Sequence, residues 1–249
     1  MNPFIKDKKQ VGIFVTAGFP ERESLGMQLL FLQEKGVDFI EIGIPFSDPM
    51  ADGPMIQYSS EVAIQNGMHI DLIFEQLEEV RAQIHIPIVF MGYFNPVLHY
   101  GLEKFLQKCS ANNISGLIFP DLNHEIVRHK YQNVFENFSI PLIHLITPAT
   151  SDRRIVELAE LSRTTFIYLI GQNSTTGTAF EQTDNLQKRY KEIKKLCEST
   201  PVFLGFGIDS FEKKEIGFQS CDGVIVGSAY LKALEQSLHE TFLLETMRI

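Results

Sequence analysis

Cysteine is scarce and unpatterned in this chain: Cys109, Cys197 and Cys221 are scattered, with no CxxC. An odd count without spacing excludes a disulfide framework and a cysteine metal site, and fits reduced thiols in a cytoplasmic protein. Long apolar runs are absent too, and the opening MNPFIKDKKQ has no apolar signal core, so a soluble chain is expected. Positive charge is short, with 22 Lys and Arg against 31 Asp and Glu. That balance argues against a nucleic-acid or anionic-membrane surface, and an anionic small substrate would need its charge met locally. The seven histidines do not cluster at metal-ligand spacing, so no metal site is expected, and His144 reads as a packed core residue. No GxSxG elbow occurs. No lysine falls inside the apolar runs described next, which disfavours a Schiff-base aldolase.

Those runs are VGIFVTAG (11–18), DFIEIGIP (38–45), IPIVFMGY (86–93), SGLIFPD (115–121), IPLIHLIT (140–147), TTFIYLIG (164–171), PVFLGFG (201–207) and GVIVGSA (223–229). Each is nearly continuously apolar, as strands buried on both faces are. Between them lie amphipathic segments of helical period, such as ESLGMQLLFLQEKG, MHIDLIFEQLEEVRAQI, KRYKEIKKLCES and SAYLKALEQSLHETFLLETM. Alternation without a linker predicts a single (β/α)8 TIM barrel, one domain over residues 1–249. The alternative is a doubly wound open sheet, but its first strand would usually lead into GxGxxG, whereas this one ends in TAGFP.

Glu41 interrupts the apolar run DFIEIGIP, and a buried carboxylate is rarely placed there for stability. Alternation puts Phe39, Glu41 and Gly43 on one face and Ile40, Ile42 and Ile44 on the other. The all-Ile face suits packing against outer helices, so Glu41 is expected to point into the barrel near its top. There it reads as a general acid/base with a pKa raised by burial, or alternatively as a structural glutamate bonded to a neighbouring strand. Asp52 follows in a loop long enough to reach over the mouth, and also suits a turn. Asp48 reads as a turn or capping residue, and Asp121 equally as a loop anchor. Tyr168 shares strand parity with Phe166 and Ile170, and can point inward.

The last two strands end in GFGID and GSAY, the second running straight into a helix. Backbone N–H groups and a helix N-terminus there form an anion site, and barrels of this kind often hold phosphate between strands 7 and 8. Gly205, Gly207, Gly227 and Ser228 are the candidates, with Gly177 in the TTG loop as a further wall. Carboxylate acid/base chemistry on a phosphorylated, otherwise apolar substrate is the remaining reading.

EIGIPFSDPMADGP closely resembles the signature of the tryptophan synthase α-subunit family. FVTAGFP, IPIVFMGYFNPVLHYG, FPDL, ITPATSDRRI, FIYLI, TTG, LGFGI and IVGSA follow in that family's order along nearly the whole chain. The resemblance implies a lyase that splits indole-3-glycerol phosphate into indole and glyceraldehyde 3-phosphate. It implies Glu41 and Asp52 as the catalytic pair with Tyr168 beside them. Gly177, Gly205, Phe206, Gly207, Gly227 and Ser228 would line the phosphate side, and Phe14 and Tyr93 the indole pocket. No cofactor is expected in this chain. A β subunit carrying pyridoxal phosphate is the implied partner, in an αββα assembly.

The chain also departs from the family. Only about ten residues precede the first strand, where a longer N-terminal helix usually closes the barrel's lower end, so a shortened segment is expected. After strand 6 it reads GQNSTTG, with Gln172 and Ser174 at lid positions usually held by arginine and glycine; Glu181 and Asp184 bring acid downstream. These changes raise an alternative: a weakly active or inactive α-like subunit that activates its β partner. A sugar-phosphate isomerase or epimerase barrel is the more distant third reading.

Overall fold

The computed structural model describes residues 2–171 and 184–249. Gly177, Gln172, Ser174 and Glu181 lie outside them.

Eight parallel strands form one sheet in the order β4-β3-β2-β1-β8-β7-β6-β5. They are β1 (Gln10–Thr16), β2 (Phe39–Gly43), β3 (Ile88–Met91), β4 (Gly116–Ile118), β5 (His144–Ile146), β6 (Ile167–Ile170), β7 (Val202–Gly205) and β8 (Gly223–Val226). A bridge between Leu117 and Leu142 brings β4 back to the segment entering β5. Helices alternate with the strands, so the barrel expected from the apolar runs is the observed fold. Each strand stops before its run does. In β2 the ladder ends at Gly43, because Pro45 has no N–H to continue it. What remains of each run becomes the loop at the C-terminal mouth.

The helical expectation needs one correction. The segment after β8 is not continuous: a helix over Ser228–Glu235 ends, and Ser237 takes a left-handed φ of 57°. The Leu238 N–H reaches back to the Ala233 carbonyl (2.8 Å) and the Ser237 N–H to the Leu234 carbonyl (3.0 Å), a Schellman closure that outweighs the apolar period. Among the described residues no helix is long and apolar enough to cross a membrane.

Residues 2–9 contain no helix, yet the lower end of the barrel is filled. Phe4, 1% exposed, inserts edge-on against Phe39, Phe166 and Phe203, with ring centroids 5.4, 4.8 and 5.9 Å away. Phe166 and Phe203 stack at 4.6 Å above it. The strap carrying Phe4 is pinned on both sides. Gln10 Oε1 accepts from the Ile5 N–H (2.7 Å), and fully buried Asp222 accepts from the Asp7 N–H (2.7 Å) while pairing with Lys194 at 2.7 Å. One aromatic side chain on the short N-terminal segment closes this end of the barrel.

Candidate active site

Register fixes which side chains meet inside the barrel. Gly12 pairs with Phe39 and Phe14 with Glu41, so these four share the inner face. A Cβ on Gly12 would sit 2.1 Å from the Phe39 ring, and one on Gly43 2.4 Å from the Phe14 ring. The glycines are the space the aromatic rings occupy. Ile40 and Ile42 point to the other face, as alternation requires, and both are fully buried.

Glu41 is 0% exposed, and neither carboxyl oxygen has a hydrogen-bond partner among the described residues. The structural reading, a glutamate bonded to the next strand, therefore fails. Burial, with a smaller contribution from the nearby Asp52 charge, pushes its pKa up to about 8. At neutral pH Glu41 is a carboxylic acid.

Asp52 is brought to it by the loop that leaves β2. The Asp52 N–H bonds to the Pro49 carbonyl (3.0 Å), and the chain then enters the helix Pro54–Gln65 with proline in its first turn. That helix is tied to the end of β1 by a buried Thr16–Ser59 hydroxyl contact of 2.6 Å. Tyr93, two residues past β3, accepts from the Ala51 N–H (2.9 Å) and donates to Asp52 Oδ2 (3.3 Å). Burial pushes the tyrosine up to about 12, so it remains a donor. Asp52 Oδ1 is buried without a partner among the described residues. Burial outweighs the Tyr93 bond and raises Asp52 to about 6. The order of titration follows: Asp52 ionises first beside a neutral Glu41, and its charge then helps keep the proton on Glu41.

Tyr168 points inward as parity predicts, and burial followed by the charges of Glu41 and Asp52 holds its hydroxyl well above its ordinary value. Glu41 and Tyr168 form the floor of a cleft of about 390 Å³ that also touches Phe14, Met91, Phe206, Gly207, Gly227 and Ser228. Asp52 and Tyr93 line an adjoining recess that shares Phe14, Ile56 and Met91 with the cleft. Glu41 and the glycine-rich strand ends thus line one cleft, and Asp52 lines the recess that adjoins it.

At those strand ends Phe206 and Gly207 both have left-handed φ, 72° and 77°. Such a conformation in phenylalanine is strained and concentrates at functional positions. Gly227 precedes the Ser228–Glu235 helix, and a Cβ there would face Phe14 and Ile56 at 3.6 and 3.9 Å, inside the cleft. Gly205 departs from its expected place. It is not on the cleft wall: a Cβ would lie 2.1 Å from the Tyr168 hydroxyl oxygen, so its lack of a side chain makes room for Tyr168.

The remaining candidates fall outside the cleft. Asp121 accepts the Phe94 N–H through both oxygens (2.9 and 3.1 Å), a loop anchor as one reading had it. Asp48 is exposed in its turn. His144 bonds to Ser162 Oγ (2.9 Å), and burial lowers it to about 4, so it stays neutral. Sequence reasoning missed Met91 and Ile56, which wall the apolar slot, and Lys232, which lines the cleft from the helix below Ser228. The signal for Lys232 was its spacing, four residues after Ser228 on one helix face.

A sequence profile of the family described as Tryptophan synthase alpha chain matches residues 4–246. Among individual proteins, the tryptophan synthase alpha chain of Christiangramia forsetii is 42% identical over 93% of this chain and 90% of its own. That of Flavobacterium psychrophilum is 43% identical, covering 93% and 91%. A structure of the tryptophan synthase complex from Pyrococcus furiosus superposes with a TM-score of 0.84 at 29% identity, covering 96% of each chain. The tryptophan synthase subunit alpha from Campylobacter jejuni gives 0.80 at 31% identity, over 98% of this chain and 96% of that one.

Proposed function

Because the chain belongs to the tryptophan synthase alpha chain family, we propose that its cleft binds indole-3-glycerol phosphate and that Glu41 and Asp52 carry out the retro-aldol cleavage. The observation that carries this reading is the pair of raised carboxyls lining an apolar cleft and the recess that adjoins it, one protonated and one ionised at neutral pH. The indole ring lies against Phe14 and Tyr93, and the phosphate lies at Phe206, Gly207, Gly227 and Ser228.

The chemistry needs an electron sink at the ring. Glu41 donates its proton to indole C3, which leaves the ring as an indoleninium cation. Asp52 accepts the ring N–H and stabilises that positive charge through a charge-assisted hydrogen bond. Glu41, now a carboxylate, takes the proton from the adjacent glycerol hydroxyl. The oxygen forms a carbonyl, the carbon–carbon bond breaks, and its electrons restore the aromatic ring. Indole and glyceraldehyde 3-phosphate leave, and Glu41 is again protonated. A carboxyl with a pKa near the working pH serves both halves. Tyr168 beside the pair keeps the floor of the slot closed.

Asp52→Asn tests the assignment. It keeps the Tyr93 contact and removes the charge, so kcat for indole release, measured with a β subunit present, should fall by roughly 10²-fold or more. Retention of a third of the wild-type kcat would remove Asp52 from the mechanism.

The pH dependence has a defined sign. Activity needs Asp52 ionised and Glu41 protonated, so kcat/KM should rise through pH 6 and fall through pH 8. In Asp52→Asn the residual activity should lose its basic limb at lower pH than wild type, because the charge that helps hold the Glu41 proton is gone.

The family reading extends to a partner. The indole product would pass to a β subunit that carries pyridoxal phosphate, in an αββα assembly in the cytoplasm, and residues 1–249 would act as one domain. Gln172 and Ser174, on which the alternative of a non-catalytic activator rests, lie outside the described residues, and no observation of the described residues favours it.

A further inference from the structure

The glycine-rich end of the cleft offers N–H groups to a phosphate, and two charged side chains line that cleft besides the neutral Glu41. Asp209 lines the same cleft, and its charge is met by Lys213 at 2.6 Å. Lys232 also lines the cleft and is exposed. It makes no ion pair among the described residues. It follows Ser228 by four positions in the helix Ser228–Glu235, on the same face and about 6 Å further along the axis. Side chains on a helix lean toward its N-terminus, which is the direction from Lys232 to Ser228, and both residues line the cleft. The helix N-terminus, Ser228 and this cation therefore border one cavity.

We infer that Lys232 is a specificity-determining residue for the phosphate end of the substrate, the cation that selects a phosphorylated indole glycerol over its uncharged counterpart. This rests on the lyase reading above. Through it, a chain of net negative charge meets the charge of an anionic substrate locally. Being at the solvent edge, the pair is partly screened, so its effect is moderate and salt-dependent.

The test uses the full chain with a β subunit and compares wild type, Lys232→Gln and Lys232→Arg. In Lys232→Gln, KM for indole-3-glycerol phosphate should rise roughly 3- to 10-fold, and the inhibition constant of inorganic phosphate should rise in parallel. The rise of KM with added salt should flatten, and Lys232→Arg should restore both constants. A structural role alone would not change the salt dependence. Wild-type KM, phosphate inhibition and salt dependence in Lys232→Gln would overturn the inference. Should the wild-type protein release no indole, the lyase reading falls, and calorimetry with inorganic phosphate still decides Lys232: weaker binding in the variant supports it, and equal binding overturns it.

Discussion

Glu41→Gln should abolish indole release, lowering kcat by on the order of 10³-fold or more, while the protein becomes more stable at alkaline pH. The first half follows from chemistry. Glutamine fills the same space and can form hydrogen bonds, but it has no proton to give to indole C3 and no base to recover one. The second half follows from burial. The Glu41 carboxyl has its ordinary value of 4.5 in the unfolded chain and about 8 in the fold. Between those values the native state holds a proton that the unfolded state has released, so stability falls as pH rises through the window. The full difference corresponds to roughly 3–5 kcal/mol above pH 8. The glutamine side chain of the variant does not ionise and is spared that loss. Urea unfolding should therefore find the two proteins similar near pH 4.5 and the variant more stable at pH 8.5. A variant less stable at both values would mean that Glu41 is there for the fold.

Phe4→Ala should destabilise the barrel by about 3–5 kcal/mol, the usual result of deleting a fully buried aromatic side chain. Phe4 joins the N-terminal strap to the rings of Phe39, Phe166 and Phe203, and each edge-to-face pair adds to the burial of its apolar area. Its removal leaves a cavity under the stacked Phe166 and Phe203 that a pinned strap cannot collapse to fill. For a chain of this length the melting temperature should drop by roughly 6–20 °C. Phe4→Leu should recover much of the loss. A change below about 1 kcal/mol in Phe4→Ala would show that the lower end is closed by other groups. The mouth of the barrel lies at the opposite end, so indole release per folded molecule should change far less than stability does.

The strands and the catalytic pair were legible in the sequence for a physical reason. Runs buried on both faces are continuously apolar, and a carboxylate inside such a run conflicts with stability, so Glu41 stands out without any structure. Asp52 could be reached by loop length alone. Its environment could not, because Tyr93 comes from the segment that follows β3 and its bond to Asp52 exists only in three dimensions. Gly205 was read as a wall of the phosphate site because a glycine at a strand end suggests close backbone approach. The side chain that needs its space, Tyr168, lies one strand away, in register with Phe203. Lys232 is invisible to a reading of strand ends, because it comes to the cleft along a helix. Phe4 is hidden for another reason: one aromatic in a short opening segment has no period, and only the barrel gives it partners. The break at Ser237 is likewise a choice of backbone closure over an apolar pattern that would have allowed the helix to continue.

The most direct test is the protonation of Glu41 itself. Infrared spectra of the full chain, recorded across pH and subtracted from those of Glu41→Gln, isolate the carbonyl stretch of a protonated carboxyl. The account predicts a protonated Glu41 band present at pH 7, lost near pH 8 and absent from the variant. A difference spectrum with no such band at pH 7, and a Glu41 signal lost near the ordinary value of 4.5, would contradict it: the proton that starts the cleavage would have to come from elsewhere.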